Sequence, residues 1–492
     1  MHIDKFHENM VTLQDLHRCS LSCKERRQQR MPLQLRTAYT ILRSCTSEED
    51  RARWSKRCWL LRRKWIADQQ TLRLKAKLTN GRGVERTKKL FNVEALTSSQ
   101  ELIVDRPRCV DILASFYSKK WGGNKPDIRV RFLERMVCHE GREIDLSVED
   151  LAASFKLLKR KCRLDAHGVS PRALELLFIA KPEELVSFIR SFMSSSSCMV
   201  TLSCGGLAMG KESSRPSVDK VRLILPQPCV MELIDAVLAV KLHKFLDRSF
   251  TFAPDIPVFV GARPRTQPLD ITHTLQSVVE KGLDMESQAA LGQQDILQFY
   301  DNLPMMKLFQ WLLAEGAEPG FVCAVFRHQL LPTVSVTISG SDASQIVRNR
   351  CSGGLTGTRV AGALGRIPVE QCFKDNHKKW NRWAFGRCIS AASFVDNIFV
   401  VSKSAWGAAC ILDDIAEYLL CSWDLRIKPS SREIMPVIGH CPENMPEHLA
   451  ISTTFLALGH IIAPDGSIAA CLDRIVKHAW KAFWANMWGH SV

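Results

Sequence analysis

The stretch ASFVDNIFVVSKS, residues 392–404, decides the fold class of this chain. Two apolar runs flank the pair Asp396–Asn397, which predicts two strands joined by a tight turn, because Asp and Asn favour turns. Taken alone, the pattern is typical of an ordinary surface hairpin. The same geometry would also hold a carboxylate rigidly for a metal ion. A second carboxylate elsewhere in the chain, able to share that ion, would favour the metal site.

Such a carboxylate occurs in QQDILQFYDNLP, residues 293–304, where Asp295 ends a short predicted strand. Tyr300 and Asp301 follow it, just before a predicted helix. Phosphoryl and nucleotidyl transfer need two Mg²⁺ ions about 3.5–4 Å apart, and Mg²⁺ prefers carboxylate oxygens. One carboxylate on each of two adjacent strands would meet that need. We therefore expect Asp295 and Asp396 on adjacent antiparallel strands with Tyr300 beside them, although spacing alone equally allows two ordinary turn residues.

The charge of the chain points to a polyanionic partner. The 492 residues carry a formal net charge of +16, and the stretch 51–90 holds 14 Lys and Arg against two acids, Asp68 and Glu85. Nucleic acid is the first candidate partner and an acidic membrane the second, while the alternative is a solvated helix face. The candidate nucleic-acid-binding residues are Arg51, Arg53, Lys56, Arg57, Arg62, Arg63, Lys64, Lys75 and Lys77.

The 18 cysteines are scattered, mostly within apolar runs, and the N-terminal stretch MHIDKFHENM lacks the apolar core of a signal peptide. We interpret them as reduced residues of an intracellular protein. Cys19 and Cys23, with His17 nearby, resemble a metal site loosely, but no second pair of ligands supports zinc. No apolar run reaches the ~18 residues that a membrane span needs. Of the two candidate partners, we expect nucleic acid and not a membrane.

The hydrophobic pattern predicts an α+β chain with an antiparallel sheet. Residues 1–100 form a basic, helical, linker-like region and 101–216 a helical extension. Shorter strands between helices follow over 217–475, and 476–492 begin a further helix. The predicted elements of the third region are a strand at 221–228, a helix at 231–246, a helix at 302–316 and a strand pair within 455–467.

Six short motifs in this order give the chain a family resemblance. They are the basic strand DKVRLILPQP, the acidic DILQFYD, the Gly-rich GGLTGTRVAGALGRIPVE, the hairpin FVDN, then LRIKPSSREIM and FLALGHIIAPDG. Together they resemble the reverse transcriptases of non-LTR, LINE-type retrotransposons over residues 217–470. The resemblance implies right-hand fingers and palm, with a truncated thumb after residue 475, in a fragment of a longer protein.

The resemblance also implies a role for each matching residue. Asp295, the carbonyl of Ile296, and Asp396 would hold two Mg²⁺ ions, with Mn²⁺ as an alternative metal, and Asn397 takes the position of a second Asp. Tyr300 would exclude a 2′-hydroxyl. The remaining substrate-binding positions are Lys220, Arg222, Gly357, Leu458 and Gly459. The implied partners are an RNA template, a DNA primer and deoxynucleoside triphosphates, in the nucleus; the oligomeric state is left open.

Four positions depart from the family pattern. Asn397 replaces an Asp, Phe299 a small residue, Thr356 a Gln, and Ser431 a Lys that is thought to protonate pyrophosphate. Arg432, beside Ser431, is a poor acid. These departures keep open an inactive, nucleic-acid-binding remnant of such a polymerase. A related RNA-dependent RNA polymerase or intron maturase is a further alternative, and the aromatic gate at Tyr300 speaks against the RNA polymerase.

Overall fold

The computed structural model describes 33–61, 91–98, 101–122, 126–137, 144–158, 165, 169–211, 213–251, 258–261, 263, 266–347, 350–386, 389–438 and 445–488. Its helices are α1 (Leu33–Ser44), α2 (48–61), α3 (Arg106–Gly122), α4 (Pro126–Val137), α5 (Val148–Phe155), α6 (Pro171–Ala180), α7 (Pro182–Ser194), α8 (Ser196–Val200), α9 (Cys229–Ser249), α10 (Pro268–Asp284), α11 (Met305–Ala314), α12 (Pro319–Leu330), α13 (Arg359–Trp380), α14 (Ala405–Trp423) and α15 (Ala469–Trp488).

Fifteen short strands accompany them, which confirms a chain of mixed helices and strands. They are β1 (Phe91–Asn92), β2 (Leu96–Ser98), β3 (Glu101–Ile103), β4 (Ser203–Gly210), β5 (Val221–Ile224), β6 (Val258–Val260), β7 (Ala289–Asp295), β8 (Thr333–Thr337), β9 (Ser344–Val347), β10 (Ala391–Phe394), β11 (Asn397–Ser402), β12 (Glu433–Ile438), β13 (Ala450–Ile451), β14 (Phe455–Ala457) and β15 (His460–Ile462).

The chain divides into two compact units. Unit 1 comprises Met1–Val104, Arg160–Ala180 and Met209–Arg222, and unit 2 comprises Asp105–Lys159, Lys181–Ala208 and Leu223–Val492. In unit 1, β2 and β3 form an antiparallel hairpin, and β1 pairs antiparallel with the last two residues of β4. Strands therefore occupy part of the region that was expected to be helical.

The principal sheet of unit 2 has six strands in the order β13-β12-β7-β11-β10-β6. Its four central strands are antiparallel, as predicted, whereas the edge strands β6 and β13 run parallel to their neighbours. The predicted antiparallel sheet thus forms the centre, and its two edges are parallel. Parallel partners need a crossover connection, and between β6 and β10 the helices α10 to α13 supply it.

The two faces of this sheet are covered differently. On one face, Leu291 and Phe399 pack in a buried cluster with α10 and with the β14–β15 hairpin, whose Phe455 ring lies 6.2 Å from that of Phe399. On the other face, the Gln294 side chain donates to the carbonyl of Leu412 in α14. Because both faces are covered along most of β7 and β11, only the ends of these strands are left for chemistry.

Two helices of unit 2 follow the sequence prediction closely. The helix predicted at 231–246 is α9, and the helix predicted at 302–316 is α11. The helix begins at Met305, three residues later than predicted, because Phe299–Asn302 form a short 3₁₀ turn and Pro304 stands at the N-cap. Gly316 follows the helix with a φ of 84°, which a glycine adopts readily at a helix end.

Most of the described cysteines are buried, and all twelve are free thiols. Burial raises the pKa of the Cys372 thiol well above its usual value, with further contributions from the carboxylates of Asp375 and Asp414. These thiols act as small apolar core residues, as predicted. Cys19, Cys23 and His17 lie outside the described residues. Among the described helices, none has the length and apolar character needed to cross a bilayer.

The β14–β15 hairpin supplies a test of how the sheet is held. Phe455 is fully buried and its neighbour Leu456, on the opposite side of the strand, is 45% exposed. We expect Phe455→Ala to lower the free energy of unfolding by about 3–5 kcal/mol, because it leaves a cavity. Leu456→Ala should cost less than about 1 kcal/mol. Denaturant unfolding of both variants measures the difference, and equal losses would contradict this packing arrangement.

Candidate active site

Strand pairing brings the two halves of the candidate site together. β7 and β11 pair antiparallel through six residue pairs, and in this register Asp295 lies opposite Asn397. Beyond the last pair, the backbone N–H of Ile296 donates to the carbonyl of Asp396 at 3.0 Å. β7 and β11 are therefore adjacent and antiparallel, as expected, although Asp396 lies in the loop just before β11 and not on a strand. The roles of Asp295 and Asp396 as metal ligands stay a prediction.

The tip of the β10–β11 hairpin is a strained two-residue loop. Phe394 pairs with Asn397, so Val395 and Asp396 form the loop. Val395 has a φ of 62°, a left-handed conformation that costs a β-branched residue on the order of 1–3 kcal/mol. The surrounding pairing must maintain this conformation. It fixes the backbone from which the Asp396 side chain projects.

The Asn397 side chain holds the Asp396 carboxylate. Its Nδ2 donates to Asp396 Oδ1 at 3.1 Å and to the carbonyl of Phe394 at 3.5 Å. A carboxylate at position 397 has no N–H to donate, and it would repel Asp396 instead. Asn397 is thus an orienting group for Asp396 in this arrangement, a role that the sequence motif alone did not reveal.

On its other side, Asp295 is bordered by the segment that follows α14. The N–H of Lys428 donates to the carbonyl of Asp295 at 2.8 Å, and the N–H of Asp295 donates to Ser431 Oγ at 2.8 Å. Ser431 Oγ in turn donates to the carbonyl of Lys428 at 2.7 Å. The hydroxyl at the position of the family's lysine is therefore engaged with backbone. It stabilises the end of β7.

The Arg432 side chain is bound by Gln294 and by Asp413 of α14 and takes no part in the hydrogen bonds around Asp295 described above. Its Nε donates to Gln294 Oε1 at 3.2 Å and one terminal nitrogen donates to Asp413 Oδ1 at 2.6 Å. Arg432 therefore forms an ion pair with α14 and cannot replace a lysine at position 431 without breaking that pair.

Tyr300 lies next to the hairpin tip, as predicted. Burial, and after it the carboxylate of Asp396, raises the pKa of Tyr300 to about 12. Its hydroxyl would lie 3.9 Å from a Cβ built on Gly362 in α13. The phenol therefore stays protonated at neutral pH.

The unusual Phe299 is accommodated by a glycine on α13. Phe299 is buried, and a Cβ added to Gly365 would lie only 2.8 Å from its ring. The bulk of the Phe299 ring is thus matched by the absence of a side chain at Gly365. Val395 and the Gly362–Gly365 face of α13 line a small cavity beside this ring.

The Gly-rich segment before α13 is bonded to the Tyr300 turn. Gly354 N–H donates to the carbonyl of Tyr300 at 2.7 Å, and Thr358 caps α13 by accepting from the N–H of Ala361 at 3.0 Å. Gly357 has a φ of 95°, and a Cβ built on it would meet nothing within 4 Å. Gly357 therefore offers an open backbone position, consistent with close approach of a ligand.

Asp301 has a structural partner that the sequence analysis did not anticipate. Lys120 Nζ lies 2.7 Å from Asp301 Oδ2, and Trp121 Nε1 donates to Asp301 Oδ1 at 3.3 Å. These contacts fasten the turn after Asp295 to the end of α3. No motif in the sequence links residues 120 and 301, so only the structure reveals this support.

Glu370 provides a second unanticipated support behind the hairpin. It is fully buried in α13, and its Oε1 accepts from Arg366 Nε at 2.9 Å and from Arg263 Nε at 3.1 Å. Arg263 follows β6, and Gly261 N–H donates to the carbonyl of Ser393 in β10 at 2.6 Å. Glu370 therefore joins α13 to the segment that borders the hairpin.

The remaining predicted residues are carried by other elements of the structure. Leu458 and Gly459 form the two-residue turn of the β14–β15 hairpin, with φ values of 48° and 94°. Leu458 packs against the same cluster as Phe394. Lys220 and Arg222 are exposed in unit 1, at the start of β5.

The basic helix is described only in part. Arg51, Arg53, Lys56 and Arg57 are exposed on α2, and the Arg57 guanidinium lies 5.1 Å from the centroid of the Trp54 ring. Arg62, Arg63, Lys64, Lys75 and Lys77 lie outside the described residues.

The donor set at the strand ends suits Mg²⁺. Within the described ranges, no three His, Cys, Asp or Glu side chains form a ready metal cage. Asp295 and Asp396 supply two carboxylates on neighbouring backbones, and the carbonyl of Ile296 follows directly on Asp295. Mg²⁺ in nucleotide-processing sites is held by one or two carboxylates, with substrate phosphates and water completing the coordination. The residues present therefore fit such an ion.

Comparison with known proteins gives a distant structural likeness. No family model matches the sequence, and no curated protein does so. The fold is similar to a telomerase from Candida albicans, solved with the TWJ fragment of telomeric RNA, at 12% identity and a TM-score of 0.36, over 71% of this chain and 67% of that one. It is also similar to an apo telomerase from Candida tropicalis truncated from its C-terminal domain, at 12% identity and a TM-score of 0.38, over 73% and 80%.

The bond between Asn397 and Asp396 predicts opposite effects of one substitution with and without metal. Asn397→Asp should lower the metal-free free energy of unfolding by about 1 kcal/mol, because a hydrogen bond is lost and two carboxylates face each other. Addition of Mg²⁺ should stabilise the variant more than the wild type, since the added charge strengthens a hard-ion site. Thermal unfolding with EDTA and with Mg²⁺ measures both. A variant indifferent to Mg²⁺ would contradict the metal site.

Proposed function

We propose that this chain is an RNA-directed DNA polymerase of the LINE type, in which the six-stranded sheet of unit 2 is the palm. The observation that carries the proposal is the β7–β11 register, which sets Asp295 opposite Asn397 and next to the backbone of Asp396. The reaction would extend a DNA 3′ end on an RNA template with deoxynucleoside triphosphates. A nuclear location and the right-hand arrangement of fingers and palm belong to the same proposal.

The roles of the site residues follow from this geometry. Asp295, Asp396 and the carbonyl of Ile296 would hold Mg²⁺. When bound, two such ions align the attacking and leaving oxygens and neutralise the charge that develops on the phosphoryl group. Asn397 orients Asp396 through its amide. Each of these residues would bind or orient another group without forming a covalent bond to the substrate. Nucleotidyl transfer requires little more of a protein.

Substrate selection would rest on the turn that follows β7. The Tyr300 backbone is held by the Gly-rich segment through Gly354, and its hydroxyl lies near Gly362 of α13, where an aromatic group would exclude a ribose 2′-hydroxyl. Gly357 would let the template or the nucleotide approach the backbone. Leu458 and Gly459 would support the primer end. Binding of the triphosphate by Lys220 and Arg222, which belong to unit 1, stays a prediction from the resemblance.

One observation favours a second candidate, an inactive remnant that only binds nucleic acid. The hydroxyl of Ser431 is engaged with backbone at the position where the family has a lysine, and Arg432 is paired with Asp413. Neither is an effective acid for pyrophosphate. The two candidates differ in catalysis and agree in binding, so one assay separates them.

Primer extension on an RNA template, with Mg²⁺ or Mn²⁺, is that assay. Loss of a group outside the first coordination sphere typically costs 10–100-fold, so loss of a direct ligand should cost more than about 100-fold. We expect extension by the wild type and a loss of that size in Asp295→Asn and in Asp396→Asn.

Asp465→Asn is the matched control, because Asp465 is an exposed turn residue that accepts from Ser467 N–H at 2.9 Å, a bond that Asn retains. Undiminished extension by Asp396→Asn would refute the catalytic assignment. A wild type that binds primer–template but extends with neither ion would establish the remnant.

The exposed cations of α2 predict salt-dependent binding of nucleic acid. For each phosphate that the protein no longer neutralises, the slope of log affinity against log salt should fall by about 0.9 on duplex DNA and about 0.7 on a single strand. We expect the combined replacement of Arg51, Arg53, Lys56 and Arg57 by Gln to flatten this slope, with little dependence on base sequence. Fluorescence anisotropy over a salt series measures it.

Point substitutions are preferable here to deletion of residues 1–100, because β1 and β2 belong to unit 1 together with 160–180 and 209–222. Lys281→Gln with Lys378→Gln, on exposed positions of α10 and α13, gives the control. A slope unchanged by the α2 substitutions would leave those cations as a solvated face.

A further inference from the structure

A third extended segment, residues 426–428, pairs with the end of β7 on the side away from β11. Leu297 N–H donates to the carbonyl of Arg426 at 2.8 Å, Lys428 N–H donates to the carbonyl of Asp295 at 2.8 Å, and Ile296 bridges antiparallel to Ile427. In this register Lys428 lies directly opposite Asp295. Asp295 is therefore flanked by Asn397 on one side and by Lys428 on the other.

The register determines which face these side chains share. Residues directly opposite each other on antiparallel strands project from the same face, with Cβ atoms about 4.5–5.5 Å apart. Ile296 is 2% exposed and points into the interior, and Ile427 opposes it. Lys428 and Arg426, one residue to either side of Ile427, are both exposed. They therefore project from the face that carries Asp295.

The backbone at Lys428 is held in place more firmly than at a typical surface lysine. Its carbonyl accepts from the N–H of Ser431 at 3.0 Å and from Ser431 Oγ at 2.7 Å. Pro429 follows it and favours the extended conformation, and Lys428 has φ −73° and ψ 114°. The root of the side chain is therefore fixed beside Asp295, and its ammonium group is the mobile part.

The residues that flank Asp295 on the adjoining segments are neutral or positively charged. Asn397 is neutral where a second carboxylate was expected, and Lys428 and Arg426 add two positive charges. Over the described residues, neither cation has an acidic partner within 4 Å. Two exposed cations that form no ion pair with a described acidic side chain, beside the carboxylate of Asp295, form a surface complementary to phosphate.

We infer that Lys428 and Arg426 form a phosphate-binding pair at the edge of the candidate active site. The ligand is a phosphate group of the substrate, either the triphosphate of the incoming nucleotide or a backbone phosphate near the primer end. The assignment of those sources rests on the proposed polymerase function. The phosphate-binding chemistry itself rests on the register, the exposure and the charge. The family that this chain resembles has a lysine at the position of Ser431. In this chain the nearby positive charge would come from Lys428, three residues earlier.

The test replaces each cation by a neutral residue of similar length. Lys428→Gln and Arg426→Gln, singly and together, keep the backbone bonds, and Lys428→Arg restores the charge. A charge-assisted hydrogen bond to phosphate corresponds to about tenfold in affinity. Lys378→Gln on α13 is the matched control, since Lys378 is exposed and about 24 Å of helix separates it from Gly362.

Three measurements distinguish the sources. Primer–template affinity is measured by fluorescence anisotropy in EDTA, the KM for deoxynucleotide by primer extension, and binding of inorganic tripolyphosphate by its effect on thermal unfolding. A roughly tenfold weaker primer–template complex in the double variant assigns a backbone phosphate. A raised KM with unchanged primer–template affinity assigns the triphosphate. Recovery in Lys428→Arg supports the pair in either case.

The proposal is separable from the polymerase activity. If the wild type does not extend a primer, the anisotropy and tripolyphosphate measurements still test the cation pair, and weaker binding in the double variant supports it. If the double variant binds primer–template and tripolyphosphate as the wild type does, with an unchanged KM wherever extension occurs, the pair does not bind phosphate. Equal weakening by Lys378→Gln would also overturn the proposal, because any surface cation would then suffice.

Discussion

The antiparallel ladder between β7 and β11 is the interaction on which the candidate site depends. Side chains alternate between the two faces of a sheet, so a shift of one residue would move Asp295 to the face that α14 covers. The register is supported by apolar residues farther along the same face of the strands, among them Phe399 and Leu291, two and four residues from the ends that carry Asn397 and Asp295. Hydrophobic packing along the strands thus determines the placement of charge at their ends.

Two contacts around the hairpin tip also stabilise the candidate site. Glu370 joins α13 to the segment after β6, and Lys120 fastens the turn after β7 by pairing with Asp301. Both supports keep rigid the elements that carry Tyr300 and Val395. The strained backbone of Val395 is tolerable because its surroundings leave it no alternative. The site is therefore held from its periphery, by residues that would never touch a substrate.

The sequence predicted the elements near the site because their signals are local. The apolar runs around Asp396–Asn397 and the Gly–Pro signals around 302–316 depend on neighbours within a few residues. The donation from Asn397 to Asp396, the pairing of Lys120 with Asp301, and the parallel edges of the sheet could not be predicted. The first depends on side-chain orientation, and the Lys120–Asp301 and β6–β10 pairings depend on partners more than one hundred residues away, whereas the β12–β13 edge joins strands about 17 residues apart that are too short to give a pattern. The contact between Phe299 and Gly365 could not be predicted for the same reason. A glycine within a helix can have many causes, and only the structure shows that the Phe299 ring occupies the space beside Gly365.

The composition of unit 1 has a consequence for the order in which the chain can fold. Its residues come from three stretches, and the partners of Phe91 and Asn92 in β1 are Gly210 and Met209, more than one hundred positions later. Pairing over such a separation requires closure of a long loop before any contact compensates the lost entropy. During synthesis, β1 must therefore wait unpaired until the ribosome has released β4, while α3, α4 and α5 of unit 2 emerge in between. Unit 1 can therefore complete its sheet only after these helices of unit 2 have left the ribosome, so the first residues to be synthesised are not the first to be fully folded.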